Sequence, residues 1–225
     1  MLLLQGTRSP PGSPWPLPQK WLRTEHTFTL NPEHFEFKTS DNGNECDIIT
    51  DAFNRYRGYM FVDKYGSATT ELDELESLYV DIENLECDVN LYPKLGDEES
   101  YTIEIPRDEK RARLTAKSVW GALRGLETFS QLVYQNETTR SYIINATRIN
   151  DWPQYKYRGL LLDTSRHFQP MKVLLDNLVS FRSMHSKLTT TSSAWSFVDV
   201  HGVERLLSFH ERMHAFFACT KLHHH

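Results

Sequence analysis

The chain has 225 residues, of which 39% are hydrophobic and 24% charged, and its formal net charge is −5. That composition suits a globular protein with a core of its own, and a mild negative charge without a basic stripe excludes nucleic acid as a partner. No apolar run reaches the ~20 residues of a membrane helix. The opening Met1-Leu-Leu-Leu passes at once into polar, proline-rich chain. It is shorter than the apolar core of a signal peptide, so the sequence as given is read as carrying no secretion signal.

In chain order, residues 1–20 are crowded with prolines, including Pro10-Pro11 and Pro14-Trp-Pro-Leu-Pro. They read as an extended lead-in without a core. Phe28-Thr-Leu and Phe35-Glu-Phe-Lys alternate apolar with polar residues, as short strands do. From Cys46 to Phe61, Ile48, Ile49, Ala52, Phe53, Tyr56, Tyr59 and Met60 recur at three-and-four spacing, which predicts an amphipathic helix. Alternation returns from Glu76 to Val89 and from Tyr101 to Ile105, with a turn at Lys94-Leu-Gly-Asp between them. Arg111 to Ala116 predicts another strand, Ala116 to Val133 a long helix, and Tyr142 to Ile144 a last short strand, before a joint at Trp152-Pro153. Residues 21–152 therefore read as an α+β domain, a sheet covered by two helices.

Some residues point outward from the cytosol. Asn136-Glu-Thr and Asn145-Ala-Thr both fit the N-glycosylation acceptor pattern, which also arises often by chance. Cys46 and Cys87 either form a bridge closing a loop of about 40 residues, worth about 3–4 kcal/mol, or stay reduced and buried. The residues alone leave both open. Cys219 stands apart.

After the joint, Leu160-Leu-Leu is continuously apolar, as a strand buried on both faces is. Pro170 is well placed at the first turn of a helix through Met171, Val173, Leu174, Asn177 and Leu178. Strand, loop and helix in this order are the opening unit of a (β/α)8 barrel. Arg166 and His167 then fall just past the carboxyl end of the strand, where barrel enzymes carry their substrate groups. An arginine there either forks onto hydroxyls or a carboxylate, or pairs with a neighbouring aspartate to hold the rim, and spacing alone favours the rim pair.

Tyr157-Arg-Gly-Leu-Leu-Leu-Asp-Thr-Ser-Arg-His-Phe resembles the first barrel strand of the family-20 glycoside hydrolases, the β-N-acetylhexosaminidases. Val119-Trp-Gly-Ala-Leu-Arg-Gly-Leu-Glu-Thr-Phe-Ser-Gln-Leu is similar to the long helix of their N-terminal domain, and Trp15-Pro-Leu-Pro-Gln and Ala52-Phe-Asn-Arg-Tyr resemble their early segments. The resemblance runs over about residues 14–178. It implies that Arg166 binds sugar hydroxyls in the cleavage subsite, that Arg158 is structural, and that Cys46 and Cys87 form a disulfide in an oxidising compartment. It implies a lysosomal or secreted protein, a dimerising hexosaminidase partner and substrates that are glycans ending in N-acetylhexosamine. Hydrolysis in that family is retaining and substrate-assisted: the acetamido oxygen of the sugar attacks its own anomeric carbon. An aspartate orients that group, and the adjacent glutamate protonates the leaving oxygen and then activates water. No cofactor is implied.

From Val179 onward the resemblance ends, and the tail 179–225 is read as divergent and without assigned structure. The barrel alone needs about 250 residues, so residues 153–178 are expected to be its first β/α unit only, in a truncated chain lacking the catalytic pair. Asp73-Glu74, Asp97-Glu98 and Asp108-Glu109 lie in polar stretches and are not read as catalytic. His210-Glu-Arg-Met-His214 fits the zinc pattern His-Glu-x-x-His, but a charge sits inside it and a third ligand is lacking, so no metal is expected. Two readings follow: a hexosaminidase-family chain inactive by itself, or a non-catalytic binding module or decoy subunit that docks on a full-length hexosaminidase.

Overall fold

A computed structural model describes residues 9–39, 46–63, 73–88, 93–163, 168–174, 176 and 187–191. The chain divides into two compact units, Met1–Lys156 and Tyr157–His225.

The first unit is built on a mixed seven-stranded sheet. Its strands are β1 (Lys20–Leu30), β2 (Glu36–Thr39), β3 (Ser77–Asn84), β4 (Tyr101–Ile105), β5 (Arg111–Ser118), β6 (Tyr134–Gln135) and β7 (Tyr142–Asp151), and its helices are α1 (Asp47–Met60) and α2 (Val119–Leu132). Across the sheet the order is β1-β7-β4-β5-β3-β2, with β6 added to β7. The pairs β2–β3 and β3–β5 are parallel, while β4 runs antiparallel to both β5 and β7. Parallel neighbours need a crossover rather than a hairpin, and α1 supplies it between β2 and β3. In the same way α2 carries the chain from β5 across β4 to β7.

The alternation that marked the strands sorts their side chains. Tyr101, Ile103 and Ile105 of β4, Ala112, Leu114 and Ala116 of β5, and Leu78, Val80 and Ile82 of β3 are all buried. Ile49, Ala52, Tyr56 and Met60 of α1 and Val119, Ala122, Leu126, Phe129 and Leu132 of α2 join them in one core. Phe37 of β2 stacks on Phe53 of α1 at 5.0 Å, and α2 lies against β3, β4 and β5. Gly121 and Gly125, one turn apart, let α2 approach closely: a β-carbon on Gly121 would stand 2.5 Å from the Ser100 carbonyl oxygen, and one on Gly125 would stand 2.6 Å from Leu114 Cδ1.

Some elements differ from the sequence reading. The last strand does not stop at Ile144; β7 continues to Asp151 and is paired on both edges. Its half from Tyr142 to Thr147 is buried without alternation, which hid its length. Strand β1 begins at Lys20, well before Phe28, and a bulge between Arg23 and Thr27 breaks its pattern. The long helix starts at Val119, because Ser118 is extended and its hydroxyl accepts the Gly121 N–H, ending β5 and capping α2. Strand β3 ends at Asn84, short of Val89. Cys46 precedes α1 and is bonded to Cys87 beyond β3, with 5.5 Å between their α-carbons.

In the second unit, β8 (Gly159–Asp163) pairs in parallel with β9 (Lys187–Thr191), Leu160 opposite Leu188 and Leu162 opposite Thr190. Residues 171–174 between them are helical, with the Leu174 N–H donating to the Pro170 carbonyl. The tail, for which no element was assigned, thus supplies a strand.

Candidate functional site

The structure gathers polar side chains where the proline-rich lead-in meets the sheet. Far from trailing free, residues 10–19 form a strap held by three keys from three elements. Arg23 of β1 donates through Nη1 to the Pro11 carbonyl at 2.8 Å. Gln131 of α2 accepts the Trp15 N–H at 2.6 Å, while its own Nε2 donates at 2.9 Å to Glu127, a carboxylate buried in α2. Asp151 at the end of β7 accepts the Gln19 N–H at 2.9 Å. Gly12 has a φ of +72° and sits where a β-carbon would meet the Leu132 carbonyl at 2.7 Å, so only glycine lets the strap lie this close. Pro14 and Pro18 are buried, whereas Trp15 and Leu17 are 69% and 65% exposed.

Two networks radiate from those keys. Arg23 Nη2 donates to Asn145 Oδ1 at 2.7 Å, and the Tyr134 hydroxyl donates to the same oxygen at 3.0 Å. Asn145 Nδ2 in turn donates to the Thr24 carbonyl at 2.9 Å, inside the β1 bulge. Asp151 also takes the Tyr101 hydroxyl at 2.7 Å, and Tyr101 shares a 2.6 Å hydrogen bond with Thr128 of α2. Burial, and then the nearby Asp151 charge, push the Tyr101 phenol far above its ordinary range. These groups fix the ends of β1, β7 and α2 to one another. Their donors and acceptors are matched, which is what a structural lock requires.

Three carboxylates of the acidic pairs, Glu74, Asp97 and Glu98, have partners within the domain. Asp97 Oδ2 takes the Lys94 N–H at 2.6 Å in the turn around Gly96, whose φ is +95°. Glu98 takes the Ser100 hydroxyl at 2.9 Å and lies 3.8 Å from Lys117 Nζ. The Asp73 carbonyl accepts the Thr29 N–H at 2.9 Å, and Glu74 lies 3.5 Å from His34. Asp108 and Glu109 are exposed in the turn between β4 and β5. No group of three or more His, Cys, Asp or Glu side chains able to hold a metal occurs among the described residues.

Of the residues singled out in the sequence, the structure brings Cys46 and Cys87 together. It puts Asn136 in the turn after β6 and Asn145 in the middle of β7. Arg166, His167, Cys219 and the His210-to-His214 pattern lie outside the described residues. Sequence reasoning missed Arg23, Gln131, Asp151 and the Tyr101–Thr128 pair, whose partners are remote in the chain. The Gly121/Gly125 spacing is a local signal that could have marked the close approach of α2.

Residues 14–132 match the family model described as beta-acetyl hexosaminidase like. The chain is 40% identical over 171 residues to Beta-hexosaminidase subunit beta of Homo sapiens, a match that takes in 73% of this chain. The chain belongs to glycoside hydrolase family 20. Its described domain is the N-terminal region of that family. Beta-hexosaminidase subunit alpha of Mus musculus is 38% identical over 177 residues. The chain spans 30% of the length of the first relative and 32% of the second. Among solved structures, the Flavobacterium johnsoniae chitobiase superposes with a TM-score of 0.58 at 26% identity, covering 79% of this chain and 26% of that one. The segments that carry the resemblance fall on the strap, α1, α2 and β8, with residues 164–167 of the last lying outside the described residues.

Proposed function

We propose that the chain is the amino-terminal portion of a β-N-acetylhexosaminidase, a family that hydrolyses terminal N-acetylhexosamine from glycans. In this reading residues 1–20 are the lead-in, residues 21–152 the α+β domain whose sheet α1 and α2 cover, and residues 153–178 the opening of the catalytic (β/α)8 barrel, followed by the tail 179–225. The observation that carries it is the 40% identity with a hexosaminidase subunit, which runs over 171 residues rather than one motif. The parallel pairing of β8 with β9, with helical residues between them, supports the barrel opening.

Arg166 is the one residue of this chain assigned to the substrate, through its guanidinium fork onto sugar hydroxyls. The chain alone is inactive in this reading. The acidic pairs at 73–74, 97–98 and 108–109 belong to the N-terminal domain, where Glu74 lies beside His34, Asp97 takes the Lys94 N–H, and Glu98 takes the Ser100 hydroxyl beside Lys117. The substrate's own acetamido oxygen supplies the nucleophile in this family, so the aspartate that orients it and the glutamate that serves as acid and base are the groups required in addition. A lysosomal or secreted location and assembly with a second hexosaminidase subunit complete the reading.

The test is hydrolysis of a fluorogenic N-acetyl-β-glucosaminide. The purified chain is expected to give no turnover above buffer. A chimera in which residues 14–178 replace the matching segment of Homo sapiens subunit beta is expected to turn over substrate. In that chimera Arg166→Ala should lower kcat/KM by about 10²-fold or more, the scale of a lost charge-assisted pair. Turnover by the chain alone, lost in its own Arg166→Ala variant, would overturn the inactive reading.

A further inference from the structure

We propose that Asn136 is a carbohydrate-attachment site, set on the β6–β7 turn so that a glycan there displaces no hydrogen bond among the described residues. The turn is fixed by its own backbone: the Asn136 N–H donates to the Ser141 carbonyl at 2.9 Å, and the Arg140 N–H donates to the Asn136 carbonyl at 2.9 Å. Arg140 takes a φ of 60°, which closes the loop. The Asn136 side chain is held by one end only. Its Oδ1 accepts the N–H groups of Thr138 at 2.8 Å and Thr139 at 3.1 Å, while Nδ2 makes no hydrogen bond among the described residues. Glu137, Thr138, Thr139 and Arg140 are all exposed, so the approach to the turn is open.

The second acceptor sequence gives the contrast. Asn145 is 7% exposed, and its Nδ2 already donates to the Thr24 carbonyl while Arg23 and Tyr134 hold its Oδ1. A sugar on that nitrogen must give up or share the Thr24 bond, inside the network that anchors the strap. A sugar on Asn136 has no such cost. The Cys46–Cys87 disulfide is an independent observation that agrees with an oxidising compartment, where asparagine glycosylation takes place.

The chemistry needs a donor of one class, an oligosaccharide linked through pyrophosphate to a lipid, and a transferase. The bond between the anomeric carbon and the pyrophosphate oxygen breaks, and the lipid pyrophosphate leaves with that electron pair. A bond forms from Asn136 Nδ2 to the anomeric carbon, and one Nδ2 proton passes to a carboxylate base of the transferase. Thr138 supplies the hydroxyl that the acceptor pattern demands two residues on.

The proposal rests on the secretory reading above, and the experiment separates the two. The full chain is directed into the secretory pathway of cultured eukaryotic cells by a cleavable leader, so its natural address is not at issue. The product is treated with peptide N-glycosidase in heavy-oxygen water, and the peptide containing residue 136 is read by mass spectrometry. Conversion of Asn136 to a heavy-oxygen-labelled aspartate is expected. Asn136→Gln and Thr138→Ala should each lose one glycan in gel mobility, and Thr138→Ser should retain it. An unmodified Asn136 in chain whose Cys46–Cys87 bond has formed overturns the proposal and leaves the secretory reading standing. An unmodified Asn136 in chain with free thiols overturns it as well, and counts against the oxidising reading too.

Discussion

The hydroxyl of Tyr101 donates to the carboxylate of Asp151 at 2.7 Å, and that carboxylate also takes the backbone N–H of Gln19 at 2.9 Å. One side chain at the end of β7 therefore joins the buried end of β4 to the strap. The bond to Thr128 extends the link to α2. The two halves of this lock come from residues 50 apart, and its third member from residues 132 apart.

Tyr101→Phe should lower stability at neutral pH by about 1–3 kcal/mol, because Asp151 and Thr128 lose a buried partner. It should also change the alkaline limb. The folded phenol is held neutral, first by burial and then by the Asp151 charge, so its pKa is raised. A raised pKa contributes stability that is complete below the unfolded value near 10 and is lost as pH rises above it. Urea midpoints followed from pH 7 to about pH 11 should fall more steeply for the wild-type chain than for the variant. Equal slopes would mean that Tyr101 is not the group that titrates.

Gly121→Ala and Gly125→Ala test the close approach of α2 to the sheet. Alanine gains about 1 kcal/mol in helix propensity over glycine, but overpacking a filled site costs about 1–3 kcal/mol. At Gly121 the obstacle is the Ser100 backbone carbonyl at 2.5 Å, whereas at Gly125 it is the end of the Leu114 side chain at 2.6 Å. A backbone carbonyl yields less than the end of a flexible side chain, so Gly121→Ala should have the larger drop in Tm. A stabilised Gly121→Ala would show that the helix can back away.

Removing the disulfide should cost about 3–4 kcal/mol, the chain-entropy value for a loop of this size, since the bond spans a separation of 41 residues. The paired Cys46→Ala and Cys87→Ala variant should unfold at lower denaturant and be indifferent to reductant. The wild-type chain should approach it when reduced. A variant as stable as the oxidised chain would mean that the bond adds nothing to the core already built by α1 and β3.

The strap predicts a local effect rather than a global one. Gln131→Ala removes the acceptor of the Trp15 N–H, and Arg23→Ala removes the donor to Pro11. Limited proteolysis within residues 10–18 should speed up several-fold in either variant, the signature of a segment that opens on its own. Cleavage at the wild-type rate would show that the buried prolines hold the strap without these keys.

Much of the fold was legible in the sequence where a period was strong. Strand β4 begins and ends where alternation placed it, at Tyr101 and Ile105, and α1 lies within a residue of the three-and-four pattern. What failed, failed for local reasons. A strand buried on both faces, as Tyr142 to Thr147 is, shows no alternation, and the bulge after Arg23 breaks the period of β1. Lys187-Leu-Thr-Thr-Thr has the β-branched content of a strand but only one strongly apolar residue, too weak a pattern to announce β9. The substrate role proposed for Arg166 rests on resemblance to a family, since its spacing alone favours a rim pair.

By itself the sequence determined what repeats or persists along the chain. It held the helix and strand periods, the two acceptor asparagines, and motifs long enough to mark family membership. The tertiary structure decided which polar groups meet. It joined Arg23 to Asn145 across 122 residues and Gln19 to Asp151 across 132. It also gave the two acceptor asparagines opposite surroundings. The reason is physical: a period is written by neighbours along the chain, whereas a hydrogen bond needs donor and acceptor within about 3 Å, and only the folded path of the backbone brings remote residues that close.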